Sequence, residues 1–547
     1  MHGRGLSAAQ KKYIEIAILA IIIANAAAFA FTHAEGASQY GDDPNYIYLA
    51  SATIHGQYRL IPGYIFTARP MSFLPIALMY ELFGISVISS TLWNIISYLG
   101  AILVAYLAVK LFYSEKAALI SALLVSIYPL LTKYALNTGE DISLMFISSI
   151  AVLLFLYAER SNNRWQYLAS GALLVIAWEI SYEGGVAILF LLSYAIIELL
   201  RKKITISKTT LFFIEGIALA FLVTFALSYL ISGTPFFIIT DNLNFYSAVG
   251  TTVNGISTIP TTNTNLSFYI NGMYQYGIVS ALIRNPTIAG LESIWATIFN
   301  PINTSSYGLY FYLLTPIIIL LLLFDRRSYF FIYWFAFIWL FLEFGPMHVG
   351  ISLAHPGITY LLAYRLHRFM MLLSIPLCAI IGIGLSKLIT PKKMRLLVPG
   401  AIALALIIML LYANNYQISN FWYEWQHFPE SISLQVSNFI RPYVLDNATV
   451  YIEAISPNGG VSFYGAYIPT EDGYPSDPRV VSIYANQNCT YYPNGVYVVW
   501  SGKPPCSDFI DVFNVSPVTG IPSYVIQGEI GDQTFIPTNV YHVVQGA

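Results

Sequence analysis

The sequence predicts an α-helical polytopic membrane protein with a small extracytoplasmic α/β domain at its C-terminal end. Three observations point there. Charged residues make up 10% of the 547 positions and hydrophobic ones 57%, against about 25% charged in ordinary soluble domains. The deficit falls on repeated apolar runs in the first three quarters of the chain, each near the ~20 residues that cross a hydrocarbon core. After Ala413 the runs stop, and Tyr, Asn, Pro and acidic residues take their place.

In chain order the apolar runs give about eleven spans: 13–31, 88–112, 117–135, 142–158, 165–181, 185–200, 209–232, 306–324, 329–344, 369–389 and 396–413. The segment PMSFLPIALMYELFG at 70–84 is too short to cross and reads as a helix at the outer interface. Residues 1–413 form the membrane domain, with long outer loops at 32–87, 233–305 and 345–368. Residues 414–547 form the outer domain. A helix near 430–441 precedes alternating β-rich runs at Thr449–Ala454, Val480–Ala485, Val496–Ser501, Phe509–Phe513 and Ser523–Ile526. No internal repeat is evident, which disfavours the transporters built from repeated halves.

Orientation follows from the preference of Lys and Arg for cytoplasmic loops. With the N-terminus inside, the inner side collects Arg4, Lys11 and Lys12, then Lys110 and Lys116, Arg160 and Arg164, Arg201 to Lys203 with Lys208, Arg326 and Arg327, and Lys387 to Arg395. The glycosylation sequons at Asn265, Asn303, Asn447, Asn488 and Asn514 all fall outside. The basic start and Ala-rich end of 1–31 also fit a cleaved signal peptide, although the apolar core is long for one. On either reading Asp42 emerges outside. The net charge of -2, with no basic stripe, gives no sign of a nucleic-acid partner. Cys378 lies within a span. Cys489 and Cys506 lie in the outer domain, where a disulfide between them can persist.

The chemistry gathers on the outer face. Asp42 and Asp43 stand just past the first span, Glu140 and Asp141 in the turn 136–141, and Glu183 in the turn 181–185. Clustered hard oxygen ligands suit Mg²⁺ or Mn²⁺, with Asp43, Glu140 and Asp141 as the donor set. A single carboxylate would instead serve as general base toward a hydroxyl. The plain alternative is that acids at span ends cap helices and stay wet. Glu179 and Glu343 lie toward the outer ends of their spans, and Glu215 nearer the inner side. Arg365 and Arg368, three residues apart around His367 at the mouth of a late span, share a helix face. They could grip a phosphate in bidentate fashion or anchor to lipid headgroups. His348 and His355 lack metal-ligand spacing and read as structural. An acid-lined outer site beside lipid, with a phosphate grip, suits a lipid-linked phosphate sugar.

The order of motifs resembles the GT-C superfamily of membrane glycosyltransferases, above all protein O-mannosyltransferases and aminoarabinose transferases. The Asp-acidic-x-x-Tyr signature of their first outer loop is matched by Asp42-Asp43-Pro44-Asn45-Tyr46, with Asp where Glu is usual. Arg69-Pro70 and the helix ending Leu82-Phe83-Gly84 follow. Asp141 then precedes the apolar run from Ile142, and Arg368-Phe369 with Pro376 opens a late span. The resemblance spans about 1–200 and 360–390. It implies a polyprenyl-phosphate sugar donor, with Asp42 as catalytic base, Asp141 as a supporting acid and Arg368, with Arg365, on the donor phosphate. Tyr182-Glu183-Gly184-Gly185 stands where many relatives carry a Lys. The first acidic stretch and the Gly-Gly turn also resemble the oligosaccharyltransferase catalytic subunit, in which that Asp binds metal. However, no Trp-Trp-Asp-Tyr-Gly occurs in the outer domain.

The expected activity is therefore inverting transfer of a sugar from a polyprenyl phosphate to a protein, lipid or glycan acceptor at the outer face. The alternatives are oligosaccharyltransferase-like metal-dependent transfer, a lipid-linked glycan transporter or flippase, and a non-catalytic envelope assembly protein.

Overall fold

The computed structural model describes residues 7–34, 43–56, 58–60, 65–202, 208–241, 317, 321, 325–344, 346–352, 357–362, 370–389, 439–440, 442–443, 448–454, 480–484, 492–501, 506–514 and 538–544. The helices are α1 (Ala8–Thr32), α2 (Asp43–Ile54), α3 (Pro70–Phe83), α4 (Val87–Phe112), α5 (Glu115–Ser126), α6 (Pro129–Tyr134), α7 (Asp141–Ser161), α8 (Arg164–Ile180), α9 (Gly184–Lys202), α10 (Lys208–Ser232), α11 (Tyr329–Phe344) and α12 (Ser374–Ile389). Among the described residues five helices are long and apolar enough to cross a membrane: α1, α4, α7, α9 and α10. This is a multi-pass membrane protein. Of the other expected spans, 165–181, 329–344 and 369–389 correspond to α8, α11 and α12. The spans at 306–324 and 396–413 lie outside the described residues, apart from Ile317 and Leu321.

The core lies where α4, α5, α7 and α12 meet. It includes Ile102, Ala105, Ala118, Ala122, Met145, Val152, Leu377 and Ile381, all essentially without solvent contact. In lipid, helices associate through close packing of small residues rather than by escaping water. The sequence provides this on α5, where Ala117, Ala118, Ser121 and Ala122 are all buried. Between α8 and α10 the backbones themselves touch. A side chain at Gly171 would collide with the Phe213 carbonyl, and one at Gly216 with the Leu168 carbonyl. α1 and α10 stand at the rim and expose Ile14, Ile21, Leu222 and Leu230.

Three sequence expectations need correction. The expected span 117–135 is broken into α5 and α6. Proline disfavours helix in the residue before it but suits a first helical turn, so the chain restarts at Pro129. The freed Ser126 carbonyl accepts a hydrogen bond from the buried Tyr98 hydroxyl. The first outer loop contains an unexpected helix, α2. Asp43 and Pro44 begin it, and Tyr46, Ile47, Leu49 and Ala50 pack its apolar side on Phe73, Ile76 and Tyr80 of α3. The third correction is in the expected loop 345–368, where β1 (Pro346–Ser352) pairs antiparallel with β2 (Gly357–Leu362). The helix expected at 70–84 is present as α3 and exposes Leu78, Leu82 and Phe83 toward its far end.

The C-terminal region holds a mixed five-stranded sheet of β3 (Val450–Ala454), β4 (Val480–Tyr484), β5 (Tyr497–Ser501), β6 (Phe509–Asn514) and β7 (Thr538–Val543). Its order is β4-β3-β5-β7-β6, with β3 parallel to β4 and β5, and β7 antiparallel to β5 and β6. Four of these strands fall on the expected runs. β7 does not, and the run Ser523–Ile526 lies outside the described residues. Cys506 is disulfide-bonded and Cys378 is free; Cys489 lies outside the described residues.

Candidate functional site

Contacts across the bundle define its two ends. α4 and α7 run in the same direction. Asn94 near the start of α4 reaches the turn before α7, and Arg160 at the end of α7 donates to the Leu111 carbonyl at the end of α4. The second end is the basic one. There Lys110 of α4 pairs with Glu15 of α1, which also accepts from the Tyr106 hydroxyl. Asp325 pairs with Lys387 at 2.5 Å and Arg327 at 3.3 Å. Burial pulls the Asp325 carboxyl upward, but the bonds from Lys387 and Arg327 outweigh it and hold the group at about 2.

The acids gather at the first end. Asp43 is the first residue of α2 and Asp141 the first of α7, with Glu140 at the N-cap position before it. Helix N-termini carry unpaired N–H groups and favour negative charge. That local preference explains why all three sit where they do. All three are buried. Asp43 Oδ2 accepts the Thr138 backbone N–H at 3.3 Å. The open side of Gly139 is ringed by oxygen. A β-carbon there would stand 3.3 Å from Asp43 Oδ1, 3.6 Å from Asn137 Oδ1 and 3.8 Å from Asp141 Oδ2. Two carboxylates, distant in the chain, thus face one small space.

The turn that carries them is held from several sides. Arg69, at the N-cap of α3, donates from Nη1 to Glu140 Oε1 at 3.0 Å, and both side chains are at most 7% exposed. The Arg69 guanidinium also lies over the Tyr182 ring, 5.3 Å from its centre. The Tyr182 hydroxyl donates to the Ile238 carbonyl at 3.3 Å. Ser72 of α3 donates to the Ile180 carbonyl at 2.8 Å, which docks the end of α8 beside the same junction. Glu183 accepts from Ser181 in its own turn. Glu179 accepts from Thr224 of α10, between α8 and α10.

Of the sequence-predicted site residues, Asp43, Glu140 and Asp141 are therefore brought together, and Glu183 is engaged within its own turn. Asp42, Arg365, His367 and Arg368 lie outside the described residues. Sequence reasoning gave Asn94 and Asn137 no role, met Tyr182 only in the turn 182–185 that departs from the family pattern, and met Arg69 as a loop charge and as part of the Arg69-Pro70 motif. Asn94 did carry a signal, being the one Asn in the apolar run 88–112.

A divalent cation can be tested against this donor set. Glu140 is taken up by Arg69, and Asp43 accepts a backbone amide. Among the described residues no group of three or more His, Cys, Asp or Glu is placed to hold a metal ion. Asp42, the neighbouring acid of this donor set, lies outside the described residues, and no step below runs through a metal.

Residues 67–229 match the family model described as dolichyl-phosphate-mannose-protein mannosyltransferase. No curated protein matches the chain. Among solved structures, ArnT from Cupriavidus metallidurans bound to undecaprenyl phosphate superposes with a TM-score of 0.52 at 12% identity, covering 98% of both chains. The same protein in its apo state gives 0.52 at 13% identity, again covering 98% of both. The Archaeoglobus fulgidus oligosaccharyltransferase, tethered to an acceptor peptide with an NVT sequon, gives 0.51 at 13% identity over 90% of this chain and 69% of that one. The chain shares the fold of the ArnT and oligosaccharyltransferase structures, and its segment 67–229, which carries Arg69, Asn94, Glu140, Asp141 and Tyr182, matches the mannosyltransferase family model.

Proposed function

We propose that this protein is an inverting glycosyltransferase that moves a sugar from a polyprenyl-phosphate donor to an acceptor hydroxyl at the outer membrane face. The observation that carries the reading is the meeting of Asp43 and Asp141 at the open side of Gly139, beside the buried Arg69–Glu140 pair. In the reaction, Asp42 or Asp43 takes the proton of the acceptor hydroxyl as its oxygen attacks the anomeric carbon. The bond from that carbon to the phosphate oxygen breaks, and the electron pair leaves with the polyprenyl phosphate. Arg365 and Arg368, with His367, are the groups proposed to hold the departing phosphate.

Two comparisons support the donor class: the mannosyltransferase family model over 67–229, and the fold shared with a protein solved with undecaprenyl phosphate. A hexose, mannose first, is the sugar to test. The proposed orientation puts the N-terminus in the cytoplasm and the C-terminal domain outside, so that the Lys- and Arg-rich end faces inward. The oligosaccharyltransferase-like reading draws on the likeness to the Archaeoglobus enzyme; its metal-dependent form would use Asp43, Glu140 and Asp141 as donors.

Purified protein given labelled polyprenyl-phosphate sugars and hydroxyl acceptors tests the proposal. Turnover lost in Asp42→Asn or in Asp43→Asn, with the thermal midpoint kept, is the expected result and identifies the base. Movement of the donor across liposomes without transfer would replace it with a flippase. Full transfer by both variants would remove the carboxylate base.

A further inference from the structure

Asn94 directs both amide N–H groups and its amide oxygen at one short stretch of chain. Its Nδ2 donates to the carbonyls of Asn137 at 2.7 Å and Gly139 at 2.8 Å. Its Oδ1 accepts the Ser143 hydroxyl at 3.1 Å. These three partners bracket Glu140 and Asp141. The side chain is 2% exposed, and it is the one carboxamide in α4. The turn has weaker ties of its own: Gly139 N–H to Asn137 Oδ1 at 3.4 Å and Thr138 N–H to Asp43 Oδ2 at 3.3 Å.

A carboxamide is the side chain for this task. One NH₂ group carries two donors and so can hold two carbonyls, while the amide oxygen takes a hydroxyl. Leucine has the same branching at Cγ and suits a membrane span better, but it can make none of the three bonds. The two carbonyls that Asn94 holds flank Thr138, whose amide meets Asp43. Releasing them frees the peptide plane that sets the open side of Gly139 toward Asp43 and Asp141.

We infer that Asn94 is a positioning residue for the reaction, fixing the turn 137–141 in the one conformation that sets Asp141 against Asp43. Its kinetic consequence rests on the proposed transferase reading; its structural consequence does not. The test uses the full-length protein in detergent or nanodiscs, as wild type, Asn94→Leu and Ser143→Ala. Hydrogen exchange reads the amides of 138–141, and steady-state kinetics use a labelled polyprenyl-phosphate hexose. In Asn94→Leu, exchange at 138–141 rises while the body of α7 stays protected. The kcat falls about 100-fold, as expected when reacting groups are misplaced by an ångström, and the donor KM stays unchanged. Ser143→Ala shifts both readouts the same way by less, and it decides the matter should Asn94→Leu not fold.

Unchanged exchange at 138–141 in the variants overturns the inference. So does retained kcat in variants of a wild type that turns over. A wild type without turnover would end the transferase reading alone, and exchange would then decide the role of Asn94 by itself.

Discussion

The two ends of this helix bundle handle buried acids differently. At the basic end Glu15 and Asp325 each have a lysine partner, Lys110 and Lys387, and the pairs tie one helix to the next. At the other end Asp43 and Asp141 sit at helix N-termini, and Asp43 takes a backbone amide. Glu140 pairs with Arg69, which is stacked on Tyr182. Ion pairs neutralise a carboxylate. Amides and helix N-termini orient it and leave its charge in place. The first arrangement ties the bundle together; the second is the one the proposed transfer uses.

That contrast can be broken or sharpened by substitution. The largest effect is expected for Asp43→Asn, which should cut sugar transfer by about 10²- to 10⁴-fold if Asp43 is the general base; initial rates with labelled donor measure this. Next comes Arg69→Ala. It leaves Glu140 buried without its guanidinium and should destabilise the protein by about 3–5 kcal/mol, read as denaturation in micelles. Lys110→Ala should cost clearly less, because Lys110 is 39% exposed and Glu15 keeps the Tyr106 hydroxyl. Equal costs at the two ends would erase the distinction.

Gly139→Ala is expected to act on rate rather than on folding. Its methyl group would stand 3.3 Å from Asp43 Oδ1, close enough to push that carboxylate aside and lower turnover about tenfold. The smallest effect concerns pH. The Asp325 carboxyl is held at about 2 in the folded protein, below its ordinary 3.8. Its contribution to stability is therefore present above about pH 4 and is lost as the pH falls toward 2. Thermal midpoints measured down that range should fall more for the wild type than for Asp325→Asn.

Long apolar runs made much of the bundle legible in the sequence. The expected 88–112, 142–158 and 209–232 differ from α4, α7 and α10 by at most three residues at an end. The acids were legible too, because residues at span ends have few places to go. Their partners were not. Arg69 and Glu140 lie 71 residues apart, and no periodicity links them. Asn94 was visible as an anomaly in an apolar run, yet nothing local says which carbonyls it serves. α2 was hidden because Pro44 and the Tyr-rich stretch read as loop, whereas Pro at the start of a helix is well placed. β7 was hidden because TNVYHV alternates only weakly and gains its place from β5 and β6 on either side.

The break between α5 and α6 bears on how the chain enters the bilayer. An unwound peptide cannot face hydrocarbon with its carbonyl bare, and at Ser126 the donor comes from Tyr98, a residue of the preceding helix. The 115–134 stretch is thus ill suited to partition by itself. Insertion as a hairpin with α4 is the expected route, and Tyr98→Phe should show up first as poor membrane integration of that hairpin during synthesis.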